Sequence, residues 1–329
     1  MWRIVLLVLG AAVLYGLLPH LLDLWGQVPA LGSVGVVALV AIVVLQAASW
    51  WCSAELDRAV LPQASRFLAL TAALAANAIR VVPAAGTALG VRLSYEMWSS
   101  AGVDAGAAAG AAAATTIVSI ATTAVVPIIT LGFALLGAAV PAGLASVAFG
   151  GAGLFVALFG AGALLIGTDR PLRGPTRFVE RAARRLGARV TAAGIERQRD
   201  QLREVLAARW PRALGASAAS LTFDYLSLVA ALVALDAKPH LSLVLLAFAG
   251  AKLLSAVPIT PGGLGIVEAG LTGTLVLAGI PAHDALLATL AYRLASYWLM
   301  LPVGLAAWLA YRRRYGPIPS SNIDSISSE

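Results

Sequence analysis

Charge is scarce in this chain. Only 12% of its 329 residues are Asp, Glu, Lys or Arg, against 60% hydrophobic, and the mean hydropathy is +0.88. A soluble domain carries about 25% charge, so a water-solvated globule is excluded and lipid is the solvent that fits. Cysteine is scarcer still: Cys52 stands alone, which excludes an intrachain disulfide. The three histidines, His20, His240 and His283, are scattered and lack the spacing of a metal site. None of the glycine-rich stretches runs into Lys-Ser/Thr, which excludes a phosphate loop. No Ser/His/Asp arrangement has recognisable spacing, and no nucleic-acid motif is present. No enzyme activity, cofactor, metal or nucleic-acid partner is therefore expected.

What is there is apolar and interrupted. Helices are expected near 3–22, 31–54, 106–136, 143–167, 214–236 and 284–310, each near the 20 residues a crossing requires. The first, 3–22, reads as a retained helix rather than a cleaved signal. Two further regions, 67–100 and 241–279, each hold two shorter apolar stretches. One is broken at Val82-Pro83-Ala84-Ala85-Gly86, the other at Pro258-Ile259-Thr260-Pro261-Gly262-Gly263. Each reads as a helical hairpin, re-entrant or fully crossing.

The net charge of +7 is local. Residues 169–212 hold 12 Arg and five acids, leaving 11 basic and 11 acidic residues elsewhere. The positive-inside rule places this loop in the cytoplasm, together with Arg312-Arg313-Arg314. Working outward, hairpin 67–100 opens on the cytoplasmic side and hairpin 241–279 on the outside. Within the loop, Phe178, Ala182, Leu186 and Val190 recur every fourth residue, interleaved with Arg177, Arg181, Arg184, Arg185 and Arg189. Two readings stand open: a plain topology anchor, or a helix lying on an anionic leaflet. The eight tryptophans fall mostly near span ends, as in an interfacial belt.

The hairpin units resemble each other. Val82-Pro83 with Leu89-Gly90 matches Val257-Pro258 with Leu264-Gly265 at an offset of 175, and Gly102-Val103-x-Ala105 matches Gly279-Ile280-x-Ala282 at 177. The expected fold is thus an all-α polytopic membrane protein of about eight membrane-embedded passes, with two inverted helix–hairpin–helix repeats. Its parts are a first membrane half at 1–168 with hairpin 67–100, a basic amphipathic cytoplasmic loop at 169–213, a second membrane half at 214–312 with hairpin 241–279, and a disordered tail at 313–329. Both termini are expected in the cytoplasm, at a bacterial inner membrane.

A charge inside a bilayer costs about 3 kcal/mol or more, so those present serve a purpose. The first hairpin region carries Asn77, Arg80, Arg92 and Glu96. The second carries Lys252 and Glu268, followed by Tyr292 and Arg293, while Asp224 lies in helix 214–236. Pro261, Gly262, Gly263 and Gly265 precede Glu268, which falls just inside a half-helix whose free N–H groups favour an anion. These residues form the expected lipid path. The competing structural reading has Pro and Gly only shaping the hairpin, Glu268 only pairing with Arg293 or Lys252, and Arg80 and Arg92 snorkelling to the interface.

The run Ala256-Val257-Pro258-Ile259-Thr260-Pro261-Gly262-Gly263-Leu264-Gly265-Ile266-Val267-Glu268-Ala269, with Gly279 and Arg293 after it, resembles the lysylphosphatidylglycerol synthase transmembrane family. These are flippase-like proteins related to the membrane part of multiple peptide resistance factor. Asn77, Pro83, Gly86, Arg92 and Gly102 resemble the family's first-half motif. Members often carry an Arg in the helix after the first hairpin, where this chain has Thr115-Thr116. The resemblance implies lipid translocation. Lysyl-lipid synthesis is not expected, because the aminoacyl-transferring domain is missing from this sequence. The leading expectation is a flippase-like transporter of a polar or anionic-headgroup lipid, phospholipid or polyprenyl-phosphate-linked. The alternatives are an accessory or enzymatic membrane protein of envelope glycolipid synthesis, and a small-solute transporter. Oligomeric state is open, a homo-oligomer included.

Overall fold

The computed structural model describes residues 35–80, 86–135, 149–150, 153, 192–238, 240–256 and 265–318. Among these every regular element is helical: α1 (Val36–Val60), α2 (Arg66–Arg80), α3 (Gly86–Ser100), α4 (Ala105–Leu135), α5 (Ala192–Val233), α6 (Leu241–Ala256), α7 (Ile266–Leu277), α8 (Ala282–Arg293) and α9 (Met300–Tyr315), with a π-helical turn Leu294–Trp298 between α8 and α9. Among the described residues four stretches are long and apolar enough to cross a membrane: Val36–Val60, Ala105–Thr123, Arg209–Val233 and Ala282–Tyr315. The chain is a multi-pass membrane protein. The expected helix 3–22, most of helix 143–167, the Arg177–Arg189 stretch, Pro261, Gly262, Gly263 and the tail from 319 onward lie outside the described residues.

The helix bounds differ from the hydropathy reading in two informative places. α1 continues to Val60 rather than stopping at 54, because Glu55 and Arg58 bond to each other at 2.9 Å and hold the last turn. α5 runs unbroken through Pro211, so the polar stretch before 214 and the apolar stretch after it are one helix. Hydropathy changes there and the backbone does not.

α1 and α5 pack antiparallel along a seam of small and polar side chains. Gln46 reaches Ser227 at 2.8 Å, Ser49 reaches the Ser220 carbonyl at 2.8 Å, and Ser53 meets the Ser220 hydroxyl at 3.2 Å. Small hydroxyls let backbones approach and supply hydrogen bonds that lipid cannot. Around this pair two shorter helices pack: α2 on α9, and α6 on α4. Gly304 makes the first crossing possible, since a Cβ there would overlap the Ala78 side chain and lie 2.8 Å from the Leu74 carbonyl oxygen. Two apolar cores result. One gathers Leu56, Leu68, Met97, Trp98 and Tyr311 around α2 and α3. The other gathers Ile42, Leu228, Phe248, Leu271 and Ile280 around α6 and α7.

Each α2–α3 or α6–α7 unit leads into its following helix through the same turn. Gly102 and Gly279 both have φ 91°, and the next N–H reaches back five residues, Val103 to Trp98 at 3.1 Å and Ile280 to Leu275 at 3.1 Å. This left-handed helix end satisfies carbonyls that lipid would leave bare. Gly102→Ala and Gly279→Ala are each expected to cost about 1–2 kcal/mol, read as lower denaturation midpoints in detergent. Equal midpoints for wild type and both variants would contradict this.

Candidate functional site

Among the described residues a polar interior cluster forms around Asp224 on α5. Its carboxylate accepts from Gln46 Nε2 of α1 at 2.7 Å and from the Tyr292 hydroxyl of α8 at 2.9 Å, and it pairs with Lys252 of α6. Ser227 accepts a second Gln46 hydrogen at 2.8 Å and donates to the Asp224 carbonyl at 2.8 Å. Gln46 is 1% and Ser227 0% exposed, so these groups have no water to fall back on and must satisfy each other. The Lys252 ammonium also sits 5.1 Å from the centroid of Phe248, a ring that meets Tyr292 edge-on.

The neighbouring residue on α8 makes a second ion pair. Arg293 Nε donates to Glu268 Oε1 at 2.7 Å, while Glu268 Oε2 accepts the Gly265 N–H at 2.7 Å. Gly265 has φ 80°, a conformation suited to glycine, and it lets Glu268 fold back over the first turn of α7. The carboxylate thereby answers both the guanidinium and the positive end of the helix. Arg293 further covers the Tyr297 ring at 4.5 Å. The π-turn begins one residue later. A π-turn widens a helix locally and often marks a functional position. Tyr292 and Arg293 thus tie two carboxylates from two other helices to one point on α8.

A third group lies in the first half. Asp57 of α1, 4% exposed, accepts from Thr115 of α4 at 3.1 Å and lies within electrostatic reach of Arg80 at the end of α2. Arg80 Nη1 donates to Asn77 Oδ1 at 3.0 Å. Its Nε is buried without a partner. Gly90 on α3 leaves room for this side chain, because a Cβ there would come within 2.6 Å of Arg80 Cγ. This group matches the Asp224 group in kind. Each gathers a carboxylate from a long helix (Asp57 of α1, Asp224 of α5), a cation from the next helix (Arg80 of α2, Lys252 of α6), and a hydroxyl from a later one (Thr115 of α4, Tyr292 of α8). The two hydroxyls stand 177 residues apart, the offset of the shared glycine turn.

Of the residues singled out from sequence, the structure brings together Asp224, Lys252 and Tyr292, joins Glu268 to Arg293, and joins Asn77 to Arg80. Lys252 pairs with Asp224, not with Glu268. Arg92 and Glu96 pair with each other at 2.6 Å along α3, with Arg92 46% exposed. Three interior residues escaped the sequence reading: Gln46, Asp57 and Thr115. Asp57 lies beyond the helix end expected at 54 and inside the observed helix. Gln46, a lone amide in the run Val44-Leu45-Gln46-Ala47, was the available signal. Among the described residues no group of His, Cys, Asp and Glu is placed to hold a metal.

Four apolar crossings that enclose bonded ionisable groups define a multi-pass helical membrane protein with a charged interior. A family model described as lysylphosphatidylglycerol synthase TM region matches residues 80–304, from Arg80 to Gly304. The chain belongs to that family, which makes it a membrane protein of lipid or glycolipid metabolism. No curated protein and no solved structure matches it.

Proposed function

We propose that the chain is a flippase-like transporter that carries a polar or anionic lipid headgroup across a bacterial inner membrane. One observation carries this reading. The ion pairs Asp224–Lys252 and Glu268–Arg293 converge on consecutive residues of α8, inside helices that are otherwise apolar. Charges held in lipid mark paths for polar cargo. Broken helices supply such a path while the chains of the lipid stay in the bilayer.

The contacts support two inverted repeats with re-entrant hairpins. Ser65 and Tyr315 meet at 3.3 Å, and Ser100 meets Tyr311 at 2.9 Å, so both ends of the first hairpin lie at the C-terminal end of α9, beside Arg312–Arg314. α6 and α7 instead join the chain at the far end of α5 and the start of α8. The legs are short: α3 has 15 residues and α7 has 12, which is about 22 and 18 Å of helix against a hydrocarbon core of about 30 Å. The Arg-rich end is the cytoplasmic one, with both termini on that side. Asn77, Arg80, Arg92, Glu96, Pro261, Gly262, Gly263 and Gly265 complete the proposed path. Membrane lipids, phospholipid or polyprenyl-phosphate-linked, are the proposed partners.

The test is headgroup scrambling in reconstituted liposomes. Glu268→Gln and Arg293→Ala are each expected to reduce the rate by about tenfold or more, because each removes one charge of the Glu268–Arg293 pair. Wild-type rates in both variants, with the protein folded, remove these residues from the path.

A further inference from the structure

A second polar feature lies outside these ion pairs, where α1 and α5 reach the Arg-rich end. Arg58, Glu55, Arg209 and Arg212 line a pocket of about 130 Å³, together with Ala59, Pro62 and Ala216. Among the described residues, three guanidinium groups there face one carboxylate. Glu55 is already engaged by Arg58 Nη1 at 2.9 Å through both oxygens. Arg58 Nε is buried and has no hydrogen-bond partner. A buried charged donor left unpaired is costly, and an excess of guanidinium donors in a concave site matches phosphate oxygens in charge and geometry.

The surface leading to this pocket is apolar and open. Along α1, Val36, Val40, Val44 and Trp51 are 76%, 56%, 59% and 50% exposed. They recur at helical spacing, and Glu55 and Arg58 follow Trp51 by four and seven residues, so the stripe and the pocket share one face. From Val44 to Glu55 the helix rises about 16 Å, about half of the hydrocarbon core and hence the depth of one leaflet. Trp51 sits where an interfacial aromatic belongs. A phosphate with apolar chains fits this surface from end to end. A free phosphate uses only its tip.

We propose that the pocket of Arg58, Arg209 and Arg212 binds the phosphate of a membrane lipid whose chains lie along the exposed face of α1, on the Arg-rich side of the bilayer. The site is separate from the Asp224 and Glu268 ion pairs. Its test measures binding rather than transport, so either result can stand without the other.

The experiment is native mass spectrometry of the purified full-length chain, titrated with phosphatidylglycerol, with diacylglycerol of the same chains, and with inorganic phosphate as competitor. Phosphatidylglycerol is expected to bind about tenfold more tightly than diacylglycerol, and the double variant Arg209→Gln/Arg212→Gln to abolish that preference. Arg58 stays in place in this variant and Arg212 is exposed, so folding is not at stake; Arg58→Gln serves as the second variant. Arg313→Gln, on the exposed end of α9, is expected to leave binding unchanged. The proposal is overturned if the pocket variants bind as wild type does, or if Arg313→Gln weakens binding as much as they do. Displacement of phosphatidylglycerol by equimolar inorganic phosphate would also overturn it, since the site would then belong to a free anion.

Discussion

Asp224→Ala is expected to lower stability by about 3–5 kcal/mol, the cost of stranding one member of a buried ion pair. Three donors lose this carboxylate at once: Lys252, the Tyr292 hydroxyl and Gln46 Nε2. Gln46 keeps Ser227, but the ammonium of Lys252 loses the carboxylate that balances its charge. The complementary expectation is sharper. Asp224→Leu/Lys252→Met removes both charges, and an apolar pair of similar volume is often neutral or stabilising where an ion pair was buried. The double variant should therefore recover most of the loss while abolishing transport. Unfolding of the detergent-solubilised protein by sodium dodecyl sulfate titration reads the first effect, and liposome scrambling reads the second. If the double variant is as unstable as Asp224→Ala, the aspartate holds the helices by packing and hydrogen bonds alone. If the double variant transports at the wild-type rate, the pair is no part of the path.

Gly304→Leu should be nearly as damaging, for a different reason. α9 passes α2 so closely that a single added carbon would overlap Ala78 and crowd the Leu74 carbonyl oxygen at 2.8 Å. Backbone and Cβ atoms have no rotamer to escape into, so the helices must separate. Overpacking of this kind costs about 1–3 kcal/mol, and a leucine adds more atoms than most. Gly273, in α7, has nothing within 4 Å of a built Cβ. Gly273→Leu should instead be neutral or stabilise slightly, because leucine favours a helix over glycine by roughly 0.8 kcal/mol. Opposite shifts in the denaturation midpoint for these two chemically identical changes would show that the α2–α9 crossing is what Gly304 serves. Equal shifts would refute it.

The residues that were legible in the sequence are those whose signal is local. Membrane embedding follows from the apolar runs. The glycine motif shared by Gly102 and Gly279 was visible as a repeat, and the structure makes both the same turn. The position of Glu268 at the start of α7 follows from the glycines before it. Asp224, Lys252, Tyr292 and Arg293 stood out because each is a polar group inside an apolar stretch, and such groups need a reason. Asp57 and Thr115 did not stand out. Thr115 is uncharged and shows in the sequence only as the place of a missing Arg, and Asp57 lies in a charged segment that hydropathy assigns to a loop.

Sequence alone determined that this is a membrane protein and which ionisable groups lie within its apolar stretches. It could not determine how those groups pair. Lys252 is 28 residues from Asp224 and 16 from Glu268, and either carboxylate suits it equally on charge. The tertiary structure decided for Asp224, because α1, α5, α6 and α8 meet around that carboxylate and supply its other donors, while Glu268 is turned back onto its own helix end and held by Arg293. Charge complementarity acts between any opposite pair; only packing brings one such pair within hydrogen-bond distance and keeps the other apart.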